Sequence, residues 1–458
     1  MARAFAAEIA GVPRAPRTRR ANSGYPRGAV PRRVRLSIRS GGSVCRTIPP
    51  GGTSLTDRSV DPTHRVGAVR GPGGRRRPGR LLACARAAAF LATAHLPSAA
   101  ARVAAPGAYL AHHGVAIHGF VQLDGSHVLR GGLPHALGFD AQRLLELQLT
   151  LDTRKLVGWP GGRLFLDVQS HSGANVATRQ VPALADPDNM DAYSETSLDR
   201  AWFQQDLLAR KLRLRVGLMY VDDQFFTVPF AQNFVSLDFS SDASISTFVL
   251  PTYPKGAWGA DVFVHPGAHA SFSLGIFRDH ETELAYDPGG TLIVSEEAWR
   301  GRCAGLPLTL QVGGWIDTGR FQRFEGGLIH HAAGAYLVAG ARLWRAAAGG
   351  GRGIGAFLQL GAAPAALAMV RQHFGAGVVW HGPWAARPHD ELGVAYSDSV
   401  LTAHAGFTHG FESEIEAYYQ VDASHGWTIQ PDLQYWRHPG GGDTPDSVLG
   451  LVRVMFSF

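Results

Sequence analysis

Charged side chains recur at alternate positions along several segments of the chain. Arg213 and Arg215 are two residues apart, and so are successive members of the series Glu412, Glu414 and Glu416. Successive side chains of a β-strand point to opposite faces, so this spacing places like charges in one row on one face. Paired carboxyl groups could serve acid–base catalysis, but a charged wall that faces water needs the same spacing. Both interpretations require strands that hold these rows.

A period of two dominates the sequence from residue 114 onward. Leucines at 145, 147, 149 and 151 alternate with Glu146, Gln148, Thr150 and Asp152, which gives one apolar and one polar face. Sixteen such segments can be read, and each is predicted to be a strand: 115–125, 143–154, 162–171, 197–207, 211–220, 257–265, 269–278, 291–299, 306–317, 333–345, 353–362, 371–381, 389–398, 411–422, 425–436 and 446–458.

Three features favour a membrane barrel over a soluble sandwich. The strands are about ten residues long, and a tilted strand needs roughly 9–11 residues to cross a bilayer. Short turns such as 208–210 alternate with long connections at 172–196, 221–256, 279–290 and 318–332, as in bacterial outer-membrane barrels. Aromatic residues also gather near strand ends: Trp202, Tyr220, Trp258, Trp315, Trp344, Trp380 and Tyr435. The predicted fold is an all-β transmembrane antiparallel barrel of sixteen strands over 106–458, closed through a last strand that ends at Phe458.

The charge of the chain divides into two unlike parts. The formal net charge is +7, yet residues 1–100 alone contain 19 Arg, no Lys and 3 acidic residues. Residues 101–458 hold 25 basic and 34 acidic residues, a net charge of −9. Binding of nucleic acid requires clustered Lys and Arg on a folded domain, so that class of function is excluded.

The N-terminal part is typical of an export signal preceded by an unstructured segment. Residues 1–74 are rich in Arg, Gly and Pro and are predicted to be a disordered extension. Residues 75–105 combine an arginine run, a short apolar run and small residues, which together predict a signal peptide. Export signals act at the N-terminus, so we expect the true start downstream, at a codon read here as Val66 or Val69. A genuine extension is the alternative.

Other chemistries find little support in the sequence. Cys303 is the one cysteine after residue 100, and no metal-ligand spacing or nucleophile motif is legible, so neither a metal nor a cofactor is expected. No stretch of the body has the 18 or so uninterrupted apolar residues of a membrane-spanning helix. A helical membrane protein is therefore excluded.

Two blocks of the chain carry a family likeness. Residues 211–279 include KLRLRVGLMYVDDQF, PFAQNFVS and FVLPTYPKGAWGADVFVHPG, and residues 412–458 run from ESEIEAYYQVD to SVLGLVRVMFSF. Both resemble the carbohydrate-selective porins of the OprB family, and the likeness extends over about 114–458. It implies a sixteen-stranded outer-membrane barrel, in a Gram-negative cell, that passes monosaccharides such as glucose by facilitated diffusion.

A barrel of this size leaves a water-filled lumen, so its selectivity depends on what narrows and lines it. The segment 221–256 is the candidate for an inward constriction loop; an extracellular loop with its own aromatic cluster is the alternative. Arginines on neighbouring strands, opposite the acids of this loop, would create a transverse field. The predicted solute pathway comprises Arg163, Asp167, Arg200, Trp202, Arg213, Arg215, Asp222, Asp223, Phe225, Glu412, Glu414, Glu416 and Asp432.

The sequence is also compatible with two rival functions. A general diffusion porin would share the barrel without sugar selectivity, and an outer-membrane barrel enzyme would share it with a catalytic site. The expected partners are outer-membrane lipid and small sugars as transported solutes. The sequence does not distinguish a monomer from a homotrimer.

Overall fold

The computed structural model describes residues 109–136, 138–278, 289–346 and 351–458. The predicted extension 1–74 and the predicted signal peptide 75–105 lie outside the described residues, and both remain predictions. No helix within the described ranges is long and apolar enough to cross a membrane.

Sixteen antiparallel strands form one closed barrel, and each of the sixteen predicted strands is confirmed. The barrel strands are β1 (Val115–Arg130), β2 (Phe139–Asp152), β3 (Gly162–Gly173), β4 (Glu195–Leu207), β5 (Leu212–Met219), β6 (Ala257–Val264), β7 (Ala270–Arg278), β8 (Thr291–Cys303), β9 (Leu306–Asp317), β12 (Ala332–Arg345), β13 (Gly353–Ala362), β14 (Val370–His381), β15 (Glu391–Leu401), β16 (Phe411–Asp422), β17 (Trp427–Arg437) and β18 (Ser447–Ser457). Between β9 and β12, the short strands β10 (Phe321–Gln322) and β11 (Leu328–Ile329) pair as a separate hairpin.

The barrel closes between its first and last strands. Strand β1 pairs with β18 from Phe120 opposite Ser457 to Arg130 opposite Val448. At the end of this seam, the Gly119 and Phe458 backbones donate to each other's carbonyl oxygens, at 3.1 and 2.9 Å. Closure leaves no row of unpaired N–H and C=O groups, which would be costly in lipid.

The two faces of the wall differ as the alternation predicts. On β2, Leu145 and Leu147 are 47% and 48% exposed, whereas Glu146 between them is 5% exposed. The apolar row therefore faces outward, toward lipid, and the polar row faces the interior. The predicted aromatic belt is only partly on the outer face: Trp258 and Trp344 are exposed, but Trp315 and Tyr220 are buried inside.

Short and long connections alternate around the barrel. Turns such as 208–210 and 304–305 join strands at one end, and the long connections 174–194, 220–256 and 318–331 lie at the other. In outer-membrane barrels the short turns face the periplasm. By that rule, Phe458 lies at the periplasmic end and the long connections begin at the extracellular end.

Candidate functional site

The segment 221–256, named here the constriction loop, folds into the barrel and packs on its inner wall. Phe225, Phe234 and Phe239 are each fully buried. They belong to one apolar cluster with side chains of wall strands, namely Phe263, Phe277, Leu292, Val294, Trp315, Tyr336, Val338, Phe357, Val379, Ala395 and Tyr418. These wall residues share the inward face through the ladder pairs. The loop therefore folds into the barrel, as the first of the two interpretations predicts, and is not an extracellular loop with its own aromatic cluster.

Ring contacts fix the position of the constriction loop. The Phe225 ring meets that of Phe277 edge-on, with centroids 6.2 Å apart, and the Phe234 ring meets that of Tyr418 at 4.9 Å. Glycine on the facing wall makes room for the loop: a Cβ at Gly340 would lie 2.5 Å from Pro229 Cβ. Larger residues there would push the loop away from the wall.

The glutamates of β16 hold the inner loops by hydrogen bonds. Glu416 Oε1 and Oε2 accept from the backbone N–H groups of Val235 and Ser236 at 2.6 and 3.0 Å. Glu414 accepts from Ser236 Oγ at 2.6 Å, and Glu412 accepts from Leu184 N at 3.0 Å. All three face the interior as predicted, but the loops cover them and leave each at most 1% exposed.

Asp432, on the adjacent strand β17, is covered in the same region. It pairs with Tyr418 of β16 in the ladder and is 6% exposed. It faces inward, as the alternation predicts, yet it lies against the loop-filled part of the barrel instead of open water. Any role of the three glutamates in transport would therefore be exerted through the loops they support.

A second stretch of chain, residues 181–191, also lies inside the barrel and is named here the inner segment. Sequence analysis predicted only a long connection over 172–196 and no special role for this stretch. It braces the constriction loop: Asn189 N donates to Val235 O at 2.7 Å, and Leu237 N donates to Asp186 O at 3.0 Å. Met190, near the C-terminal end of the inner segment, is 1% exposed. The inner loops thus form a single hydrogen-bonded unit.

The wall formed by β2 to β5 carries a charged network around Arg200. The Arg200 guanidinium lies 2.5 Å from Asp167 Oδ2, 3.0 Å from Glu146 Oε1 and 3.0 Å from Asp223 Oδ1 of the constriction loop. Its centre also lies 4.8 Å from the centroid of the Tyr220 ring. One cation thus joins three carboxylates and links the wall to the loop.

Two further arginines continue this wall on β5. Arg215 pairs with Asp261 of β6 at 2.5 Å and lies 5.3 Å from the centroid of the Trp202 ring. Arg213 donates to Gln224 Oε1 of the constriction loop at 2.8 Å. Each of these arginines therefore has an aromatic or polar neighbour that fixes the direction of its guanidinium.

The arginines do not face the acids of the constriction loop across open water, as the expected transverse field requires. Arg200 pairs directly with the loop acid Asp223 instead of facing it across water. Arg215 is neutralised by Asp261, which sequence reasoning missed although its alternation with Phe263 in β6 places both on one face. Arg163 is exposed near the periplasmic end of β3, and Asp222 accepts from Thr252 Oγ1 at 2.5 Å within its own loop.

The buried carboxyl group of Asp238 predicts that packing of the constriction loop on the wall, called docking here, depends on pH. The carboxyl is fully buried, and desolvation raises its pKa from 3.8 to about 7, although Ser397 Oγ donates to it at 2.6 Å. The docked form therefore binds a proton more tightly than an exposed Asp238 does. Stabilisation of the docked loop is largest below the ordinary pKa of 3.8 and is lost as pH rises through about 7.

We expect the channel current to fluctuate less at about pH 5 than at about pH 8, because protonated Asp238 favours the docked loop. Single-channel recordings in planar bilayers would measure this difference. The Asp238→Asn variant should flatten it, since an amide does not titrate. An unchanged pH response in that variant would assign the dependence to other groups.

Among the described residues, no group of three or more His, Cys, Asp and Glu side chains is arranged to hold a metal ion. A closed sixteen-stranded barrel with loops packed inside its lumen defines a channel of the porin type.

Comparison with known proteins gives the particular family. Residues 138–458 match the family described as carbohydrate-selective porin, OprB family, and the chain belongs to it. Porin B of Pseudomonas aeruginosa is 21% identical over 360 residues, which cover 66% of this chain and 78% of that protein. The family confirms the resemblance seen in the sequence and makes the chain an outer-membrane carbohydrate porin.

Solved structures support the same fold. The high-pH structure of Pseudomonas putida OprB superposes with a TM-score of 0.70 at 19% identity, covering 77% of this chain and 96% of that chain. The low-pH structure of the same protein gives a TM-score of 0.53 at 16% identity, covering 77% and 95%.

Proposed function

We propose that monosaccharides such as glucose pass through this barrel by facilitated diffusion along the wall of β2 to β5. The apolar side chains of the constriction loop pack against inward side chains of β6 to β16, whereas charged and amide groups line the β2–β5 wall. The proposal rests on one observation: Arg200, Arg213 and Arg215 lie on that wall, and each guanidinium lies over an aromatic ring.

The chemistry of this wall suits a sugar. Hydroxyl groups both donate and accept hydrogen bonds, so they can exchange partners among guanidinium, carboxylate and amide groups. Trp202 and Phe165 are both partly exposed and stack with centroids 4.8 Å apart, so this wall also contains apolar ring surface that suits the C–H groups of a sugar. Passage requires several weak contacts, because one tight site would retain the solute.

Conductance in a planar bilayer tests the proposal. Added glucose should reduce the ion current reversibly, because a sugar in the constriction displaces water and ions. A neutral amino acid of similar size should reduce it less. Equal effects of both solutes would support a general diffusion porin, and the absence of any channel would contradict both functions. An assay for lipase or protease activity on the folded barrel tests the enzyme alternative.

A further inference from the structure

Arg453 lies where the closing seam of the barrel meets the inner segment. It projects inward from β18, and its side chain is 11% exposed. The guanidinium donates to Asp124 Oδ2 of β1 at 2.7 Å. From the same nitrogen, Nη2, it also donates to Asp188 Oδ1 at 3.1 Å and Asn189 Oδ1 at 2.8 Å, both in the inner segment.

Strand β2 completes this attachment with an amide. Gln142 Nε2 donates to Asp188 Oδ2 and Asp191 Oδ1, each at 2.8 Å. Asp191 also accepts from the backbone N–H groups of Val176 and Ala177 at 2.9 and 2.8 Å. The inner segment is therefore fixed to β18 and β2 through its own carboxylates.

Hydrogen bonds to backbone oxygens join the inner segment to the constriction loop. Besides its bond from N–H to Val235 O, Asn189 donates from its side chain to Phe234 O at 3.2 Å. Tyr253, near the end of the constriction loop, donates its hydroxyl to Met190 O at 3.2 Å. A displacement of 188–190 would thus remove hydrogen bonds from the middle of the constriction loop and from near its C-terminal end.

We propose that Arg453 is a positioning residue for transport, which holds the inner segment and, through it, the constriction loop at the pore. Asp124 and Asp188 are 2% and 0% exposed, so both carboxylates depend on this cation for compensation of their buried charge. Removing one partner of a buried ion pair is far more costly than losing an exposed pair. The inference rests on the proposed function for the pathway, but the loop attachment can be tested apart from transport.

Thiol labelling gives that separate test. In a background with Cys45→Ser, Cys84→Ser and Cys303→Ser, which removes every native thiol of the chain, the Met190→Cys reporter should be protected from a water-soluble maleimide. Adding Arg453→Gln should speed labelling by roughly a hundredfold, because breaking a buried ion pair shifts the docking equilibrium by at least this order. Arg453→Lys should restore part of the protection. A heat-modifiable shift on gels confirms that each barrel is folded.

Arg179→Gln is the matched control. Arg179 also joins this long connection to β2, through Asp140 at 3.0 Å, but its side chain is 59% exposed. Surface ion pairs of this kind contribute little, so Met190→Cys should stay protected in that variant. Protection that persists in folded Arg453→Gln would overturn the proposal.

Conductance separates this proposal from the proposed function. With Arg453→Gln the open-channel current should rise and its block by glucose should weaken, together with faster labelling. Faster labelling with an unchanged current would overturn the positioning role. Failure of glucose to block the parent channel would instead contradict the sugar pathway while leaving the attachment of the inner segment intact.

Discussion

Replacement of Arg200 by glutamine is expected to make the channel strongly cation-selective. Arg200 is the cation that contacts Asp167, Glu146 and Asp223, and its side chain is 13% exposed. Without it, three carboxylates face one another at the junction of wall and loop. Fixed negative charge in a narrow lumen attracts cations and repels anions. The reversal potential under a salt gradient across a planar bilayer measures this change.

The same substitution should lower the stability of the loop's contact with the wall. Asp167 is fully buried, and removing one partner of a buried pair costs about 3–5 kcal/mol when the remaining charge stays uncompensated. Entry of water into the lumen will reduce that cost. A double variant, Arg200→Gln with Asp167→Asn, should recover part of the loss, because the buried carboxylate is then neutral.

Arg163→Gln provides the comparison for Arg200→Gln. It removes the same charge from the same wall, but Arg163 is exposed near the periplasmic end of β3. Its effect on the reversal potential should be clearly smaller, since solvent screens an exposed charge. Equal shifts in the two variants would mean that the Arg200 network does not form the selective region.

The period of two made the barrel wall predictable from the sequence. Each strand can be recognised from its own residues, because alternate side chains lie on one face whichever strands are its neighbours. The inward direction of Glu412, Glu414 and Glu416 followed from this alternation. Adjacent strands joined by short turns also gave the antiparallel order.

Contacts between the loops and the wall could not be predicted from the alternation of residues within strands. The bond from Val235 N to Glu416 joins residues that are 181 positions apart, and no local pattern encodes such a pairing. The inner segment was missed for a related reason. Its Pro and Asp residues are typical of exposed turns, yet Asp188 and Asp191 are buried because Arg453 and Gln142 satisfy them. The pairing of Arg215 with Asp261 depends on strand register in the same way.

Phe234→Ala is expected to release the constriction loop and leave the barrel closed. Phe234 is fully buried, and its ring lies 5.0 Å from that of Phe239, 5.7 Å from that of Phe357 and 4.9 Å from that of Tyr418. Truncation of a buried phenylalanine costs about 3–5 kcal/mol. That cost falls on loop docking, because the strands are held by their own ladders. The open-channel current should rise, and glucose should block it less.

Phe272→Ala separates this effect from a general loss of apolar area. Phe272 is 46% exposed on the outer face of β7, where lipid can fill the space left by its ring. Conductance should therefore stay close to that of the parent channel. If Phe234→Ala also kept the parent conductance in a folded barrel, the Phe234 contacts would not set the pore size. A larger current with weaker sugar block in Phe234→Ala alone would show that the loop is held by its aromatic contacts with the wall, and that the pore narrows only while those contacts last.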